Sequence, residues 1–80
     1  MRLDKFLKLS RLVKRRTIAN KICAAGKVLL NNKIAKPSSE VNLSDIITLN
    51  LGNKEIKVKV LKILNITTKK TATQMYEIIW

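Results

Sequence analysis

The sequence predicts an α+β domain in which two short N-terminal helices pack on a small, mainly antiparallel sheet of four to five strands. Three observations lead there. Apolar residues recur at helical spacing through the first 25 positions. The period then shortens to two after Gly26, and Asn-Asn and Gly-Asn pairs punctuate the rest of the chain. Finally, 80 residues suffice for one domain, 1–80, but a chain of that size buries only about 60% of its unfolded surface.

Leu3, Phe6 and Leu7 stand at i, i+3 and i+4, with Arg2, Lys5 and Lys8 on another stripe. They predict an amphipathic helix over roughly residues 3–9, with Asp4 in its first turn, where a carboxylate meets the positive end of the helix dipole. Ser10 to Lys14 then form a connection that keeps Leu12 and Val13 for the core. A second helix is expected over 16–25, its apolar face made by Ile18, Ala19, Ile22 and Cys23. Gly26 is placed to end it as a left-handed residue.

Val28 and Leu30 suggest a strand, Asn31-Asn32 a turn that tolerates positive φ, and Ile34 to Lys36 the start of the return. "KPSSEV" is a loop, because Pro37 cannot sit in a central strand. Asp45 to Leu51 is rich in β-branched residues, Gly52-Asn53 is a hairpin turn, and Ile56, Val58 and Val60 alternate with Lys57 and Lys59. In the tail, "TTKKTAT" reads as a loop or frayed turn, and "MYEIIW" as a last strand, so that residues 64–80 complete the sheet.

The net charge is +12, from 17 Lys+Arg and 5 Asp+Glu. It is unevenly spread. Eleven of the basic residues and one acid (Asp4) lie at or before Lys36, which gives +10; the remaining six and four give +2. The first half is therefore expected to meet a polyanion, and the second to act as scaffold. One cysteine, Cys23, excludes an internal disulfide and reads as a small core residue. There is no apolar run long enough to cross a bilayer and no secretory h-region, so a cytoplasmic protein is expected.

Several chemistries lack their residues. Without histidine there is no histidine base or ligand, and one thiol cannot build a thiolate metal site. Two glycines do not make a glycine-rich phosphate loop, and the five carboxylates form no acid–base pair. An enzyme is not expected, nor is a cofactor. Phosphate binding accounts best for the charge, since Arg2, Arg11, Arg15 and Arg16 offer planar two-point pairing. Lys8 and Lys21 read as merely solvated. A DNA-reading helix-turn-helix is disfavoured, because the second helix has few side chains suited to base edges beyond Asn20. A face of Arg and Lys suits the phosphates and shape of structured RNA. Membrane binding is disfavoured because Leu3, Phe6 and Leu7 belong to the core.

"RLDKFL", "KRRTIANKICAAGKVLLNNKIAKPSSEV" and "SDIITL" together resemble the RNA-binding domain family named after ribosomal small-subunit protein four. The matching positions are Arg2-Leu3-Asp4, Ala19, Gly26, Val28, Leu30, Asn31, Lys36-Pro37-Ser38, Asp45 and Ile47, over roughly residues 1–50. The chain departs from the pattern at three points. Asn32 replaces the usual turn glycine, which is expected to loosen the turn. Ser44 replaces the glycine before Asp45. Arg15 stands where the second helix often has a serine cap, a loss of about 1 kcal/mol that a nearby phosphate would make good.

"SRLVKRRT" and a tail with Lys69, Lys70, Ala72, Met75 and Tyr76 resemble, within that family, the short one-domain members of bacterial ribosome-associated quality control. The resemblance implies a monomer that binds large ribosomal subunits carrying peptidyl-tRNA, touches large-subunit rRNA and the tRNA, and supports a partner factor that adds alanine tails. It implies RNA binding through Arg2, Lys5, Arg15 and Arg16 first, then Arg11 and Lys14, with Thr17; Lys33 and Lys36 either extend the face from the first hairpin or belong to a merely solvated turn. Asp4 belongs to the same set; it either serves the helix dipole, orients a neighbouring Arg, or accepts an RNA hydroxyl. Tyr76 is expected to pack on the sheet, with Trp80 a candidate for stacking on a base. A related heat-shock protein of the same family is the alternative, disfavoured by the short tail; a structural rRNA-binding protein and the detached module of an RNA-modifying enzyme are others.

Overall fold

The computed structural model describes residues 1–79; Trp80, and with it the base-stacking expectation, lies outside the described residues. Along the chain come α1 (Leu3–Leu9), α2 (Arg16–Ala24), β1 (Val28–Leu30), β2 (Lys33–Ile34), β3 (Ile46–Asn50), β4 (Glu55–Val60), α3 (Lys69–Ala72) and β5 (Tyr76–Ile78). The strands form one sheet in the order β2-β1-β3-β4-β5, and every neighbouring pair is antiparallel.

Strand register sorts the side chains by face. Val28 stands opposite Leu49 and Leu49 opposite Ile56; Leu30, Ile47, Val58 and Ile78 form the next row. Val28, Ile47, Leu49, Val58 and Val60 are fully buried against Leu3, Phe6 and Leu7 of α1 and Ala19 and Cys23 of α2. Each of the Val, Leu, Ile and Phe side chains among them contributes roughly 1.5–3 kcal/mol through burial. Met75 and the half-buried Tyr76 close the core from the tail. The apolar stripe of α2 is narrower than its sequence suggests: Ile18 is 45% exposed, and Ala19, Ile22 and Cys23 carry the packing. Ile18 sits in the first turn of α2, on the stripe beside the one that Ala19 and Cys23 bury.

The two long helices end alike. Gly26 occupies the left-handed position after α2 at φ 74°, and the N–H groups of Gly26 and Lys27 return to the Cys23 and Ile22 carbonyls. The same place after α1 is held by Arg11 at φ 62°, whose N–H returns to the Lys8 carbonyl. Only glycine takes that conformation freely; for a residue with Cβ it costs on the order of 1–2 kcal/mol.

The hairpin at Asn31-Asn32 is tight, contrary to expectation. Both residues are left-handed, at φ 53° and 69°, so the loop has two residues and Leu30 pairs directly with Lys33. Two consecutive positive φ angles match the twist of the strands, and Asn accepts them. Asn31 is also clamped: its amide Oδ1 accepts from Ile46 N–H at 2.9 Å, and its Nδ2 donates to Asp45 at 3.1 Å.

The tail contains a helix where a loop or frayed turn was expected. Thr68 and Thr71 cap α3 reciprocally, each hydroxyl accepting from the other's backbone N–H. Thr67 Oγ1 donates to the Leu9 carbonyl at 2.8 Å and pins the tail to the end of α1. β5 then pairs with β4, with Tyr76 opposite Val60.

Candidate RNA-binding site

The site begins with the way α1 is closed. No side chain caps its N-terminus. The Leu3 N–H donates instead to the Ser39 carbonyl at 2.8 Å, and the Asp4 N–H to the Pro37 carbonyl at 3.1 Å. The Lys5 N–H donates to Asp4 Oδ1 at 2.8 Å. The first turn, whose N–H groups have no helical acceptors, is thus satisfied mainly by the "KPS" loop. Lys36, Ser39 and Val41 fix that loop, through Lys36 N–H to Ser39 Oγ at 2.9 Å and Val41 N–H to the Met1 carbonyl at 2.9 Å.

Closure by backbone leaves the Asp4 carboxylate available to other groups. Arg2 donates to both its oxygens, Nε at 3.2 Å and Nη2 at 3.1 Å. Arg16 Nη2 approaches Oδ1 at 3.5 Å, and Asn20 Nδ2 donates to Oδ2 at 3.4 Å. With Lys5 N–H, five donors converge on a group that has about four lone-pair sites. The carboxylate has no capacity left for an RNA hydroxyl. Its geometry is that of an anchor, which holds two guanidiniums side by side at the surface. The Asp4 side chain is 3% exposed, against 51% for Arg2 and 48% for Arg16.

The electrostatics agree. Burial by itself raises the Asp4 pKa, but hydrogen bonds from Arg2 and Asn20 and the charges of Arg16 and Arg2 outweigh it, and the carboxyl sits below its ordinary value. Asp4 therefore stays ionised. Cys23 lies in the core, where burial and then the Asp4 charge push its thiol up to about 11, which keeps it protonated and inert.

Arg2, Asp4, Arg16, Thr17, Asn20 and Lys21 line one open groove of about 500 Å³. The expected residues Arg2, Asp4, Arg16 and Thr17 are thus brought together. Asn20 joins them, and so does Lys21, which had read as merely solvated. Both have a signal in the sequence: Asn20 is four residues after Arg16, and Lys21 four after Thr17, so each pair shares a helix face. Arg15 is the exposed N-cap of α2, and its side chain makes no cap hydrogen bond. Lys5 is half-buried one residue from the anchor, while Arg11 and Lys14 lie exposed on the α1–α2 connection. Lys33 on β2 and Lys36 in the "KPS" loop are exposed and do not line the groove.

Among the described residues, no His, Cys, Asp or Glu cluster could hold a metal, and no helix is long and apolar enough to cross a membrane.

The profile of the S4 domain matches residues 1–47. The RQC P-site tRNA stabilizing factor of Streptococcus pneumoniae is 44% identical over 79 residues, 99% of this chain and 90% of that protein. Its namesake from Bacillus subtilis is 44% identical over 79 residues, 99% of this chain and 92% of that one. Among solved structures, the trimeric heat shock protein 15 of Vibrio cholerae superposes with a TM-score of 0.90 at 35% identity, over 98% of this chain and 80% of that one.

Proposed function

Because this chain belongs to the S4 domain family, we propose that it is a non-catalytic, cytoplasmic RNA-binding factor of ribosome-associated quality control. It binds large ribosomal subunits that carry peptidyl-tRNA, with contacts to rRNA and tRNA. The observation that carries this reading is the pair of guanidiniums, Arg2 and Arg16, held on one buried carboxylate, with Arg16 in the first turn of α2. Two preorganised planar donors at a helix N-terminus suit a phosphate oxygen cluster. Lys5 of α1, Arg11 and Lys14 of the connection and Arg15 at the start of α2 extend the contact, and Lys33 and Lys36 add to it from the first hairpin and the loop after it. The relatives of like length, named as P-site tRNA stabilizing factors, support the tRNA as partner.

In this reading the protein acts as a monomer and supports the partner factor that adds C-terminal alanine tails to stalled chains. The test is co-sedimentation with large subunits, empty or carrying peptidyl-tRNA, for the wild type and Arg16→Ala. Binding that needs the tRNA and is lost in the variant is expected. Equal binding to empty and loaded subunits would mark a general rRNA-binding or structural protein instead.

The likeness to a heat-shock protein favours a second reading, a factor that recycles subunits still holding a nascent chain. A reconstituted tailing reaction separates the two: the quality-control factor raises alanine addition, and a recycling factor leaves it unchanged. That relative was solved as a trimer, so the mass of this chain in solution decides whether it shares that assembly.

A further inference from the structure

Phosphates are common to RNA and DNA, so the guanidinium pair alone does not choose between them. The 2′-hydroxyl is what distinguishes the two, and as a hydrogen-bond donor it needs an acceptor near the phosphate site. The groove is poor in acceptors. Arg2, Arg16 and Lys21 only donate, and the Asp4 carboxylate is filled by five donors.

Asn20 is different. It stands one turn after Arg16 on the same face of α2, and its Nδ2 faces Asp4 Oδ2 at 3.4 Å. A carboxylate only accepts, so the amide nitrogen must face it, and chemistry alone fixes which way the amide lies. The other end of that amide, Oδ1, is then a neutral acceptor turned away from Asp4. Thr17 has a hydroxyl that rotates and serves either role; Asn20 offers the acceptor of fixed sense.

We infer that Asn20 reads the ribose: its Oδ1 accepts the 2′-hydroxyl of a nucleotide whose phosphate Arg2 and Arg16 hold, and so makes the groove select RNA. The inference rests on the phosphate-binding reading of the groove. Asn20 sets specificity while the arginines supply affinity.

The test is a double cycle on a short RNA stem-loop. One version carries 2′-hydroxyls throughout and the other 2′-fluorine, which keeps A-form geometry but cannot donate. Affinities of the wild type and Asn20→Ala are measured for both at one fixed salt. Because Asn20 is exposed on a helix and Ala is the better helix former, the variant keeps its fold. The fluorine penalty is expected to be about 3–10-fold larger in the wild type than in Asn20→Ala, the size of one hydrogen bond. An equal penalty in both proteins overturns the inference. So does a uniform weakening of both RNAs by Asn20→Ala, which would mean that the residue acts only by steadying Asp4. The salt dependence of wild type and Arg16→Ala is measured alongside. A slope unaffected by Arg16→Ala removes the phosphate reading itself, and the inference falls with it; a slope reduced by Arg16→Ala with equal fluorine penalties removes the inference alone.

Discussion

Arg2 and Asp4, two residues apart, meet in a two-point contact that runs across the first turn of α1, Nε and Nη2 each within 3.2 Å of a different carboxylate oxygen. The contact is possible because Arg2 is the extended N-cap and Asp4 is already helical. The same carboxylate reaches Arg16 on the next helix. One buried anion therefore fixes two cations that come from different elements.

Asp4→Asn separates alignment from charge. It raises the net charge by one, which by simple attraction would tighten RNA binding. Loss of the anchor is expected to weaken it instead, as Arg2 and Arg16 lose their shared alignment. Stability should fall by about 1–2 kcal/mol, since a buried acceptor of several bonds is replaced while both arginines stay half-exposed to water. Filter binding at fixed salt, with urea unfolding beside it, checks both signs; tighter binding in the variant would refute the anchor.

The pH dependence arises from the same group. The folded pKa of Asp4 lies below the ordinary 3.8, because the bonds and charges from Arg2, Asn20 and Arg16 outweigh the opposing effect of burial. A carboxylate of that kind contributes stability that is fully present above its unfolded pKa and is lost as pH falls through the folded one. The stability gap between the wild type and Asp4→Asn should hold steady from pH 7 to about 5 and close below about 4. Urea midpoints across that range measure it, and a gap that closed near neutrality would implicate another group.

Arg16→Ala should lower the log–log slope of RNA affinity against salt by about one, the signature of one lost phosphate contact. Lys8→Ala, on an exposed site outside the groove, should leave the slope nearly unchanged. Equal slopes for wild type and Arg16→Ala would show that this guanidinium touches no phosphate.

Arg11 and Ser44 share a left-handed backbone, at φ 62° and 70°. Glycine at either position should raise stability by about 1 kcal/mol, or roughly 4–8 °C in Tm for a domain of this size. The two variants should part company in binding: Arg11→Gly removes a cation of the proposed RNA face and is expected to weaken RNA affinity, while Ser44→Gly is expected to leave it unchanged. Calorimetry and binding on the pair test whether Arg11 keeps its strained position for the sake of its side chain.

Much of the fold was legible in the residues. Leu3, Phe6 and Leu7 announce α1, and the alternation at Ile56, Val58 and Val60 announces β4, because both patterns are local. α3 was hidden for the opposite reason. It has four residues, and its cap uses Thr71 where the usual signature has Glu or Gln. Arg2 and Arg16 of the groove were legible from charge, but Lys21 was not, and neither was the convergence of the three. Asp4 meets Arg16 and Asn20 across 12 and 16 residues of chain, a pairing that only the packing of α1 on α2 creates. Ile18 misled because a nine-residue helix offers two overlapping apolar stripes, and its sequence does not say which one faces inward.

The closure of α1 by the Pro37 and Ser39 carbonyls bears on folding. The acceptors for its first turn lie more than thirty residues further along the chain. A helix of seven residues does not hold itself together in water. The turn that carries Asp4 is therefore a product of tertiary closure: Arg2 and Asp4 are aligned only once the "KPS" loop has docked, so loosening that loop would disperse the guanidinium pair without touching either residue.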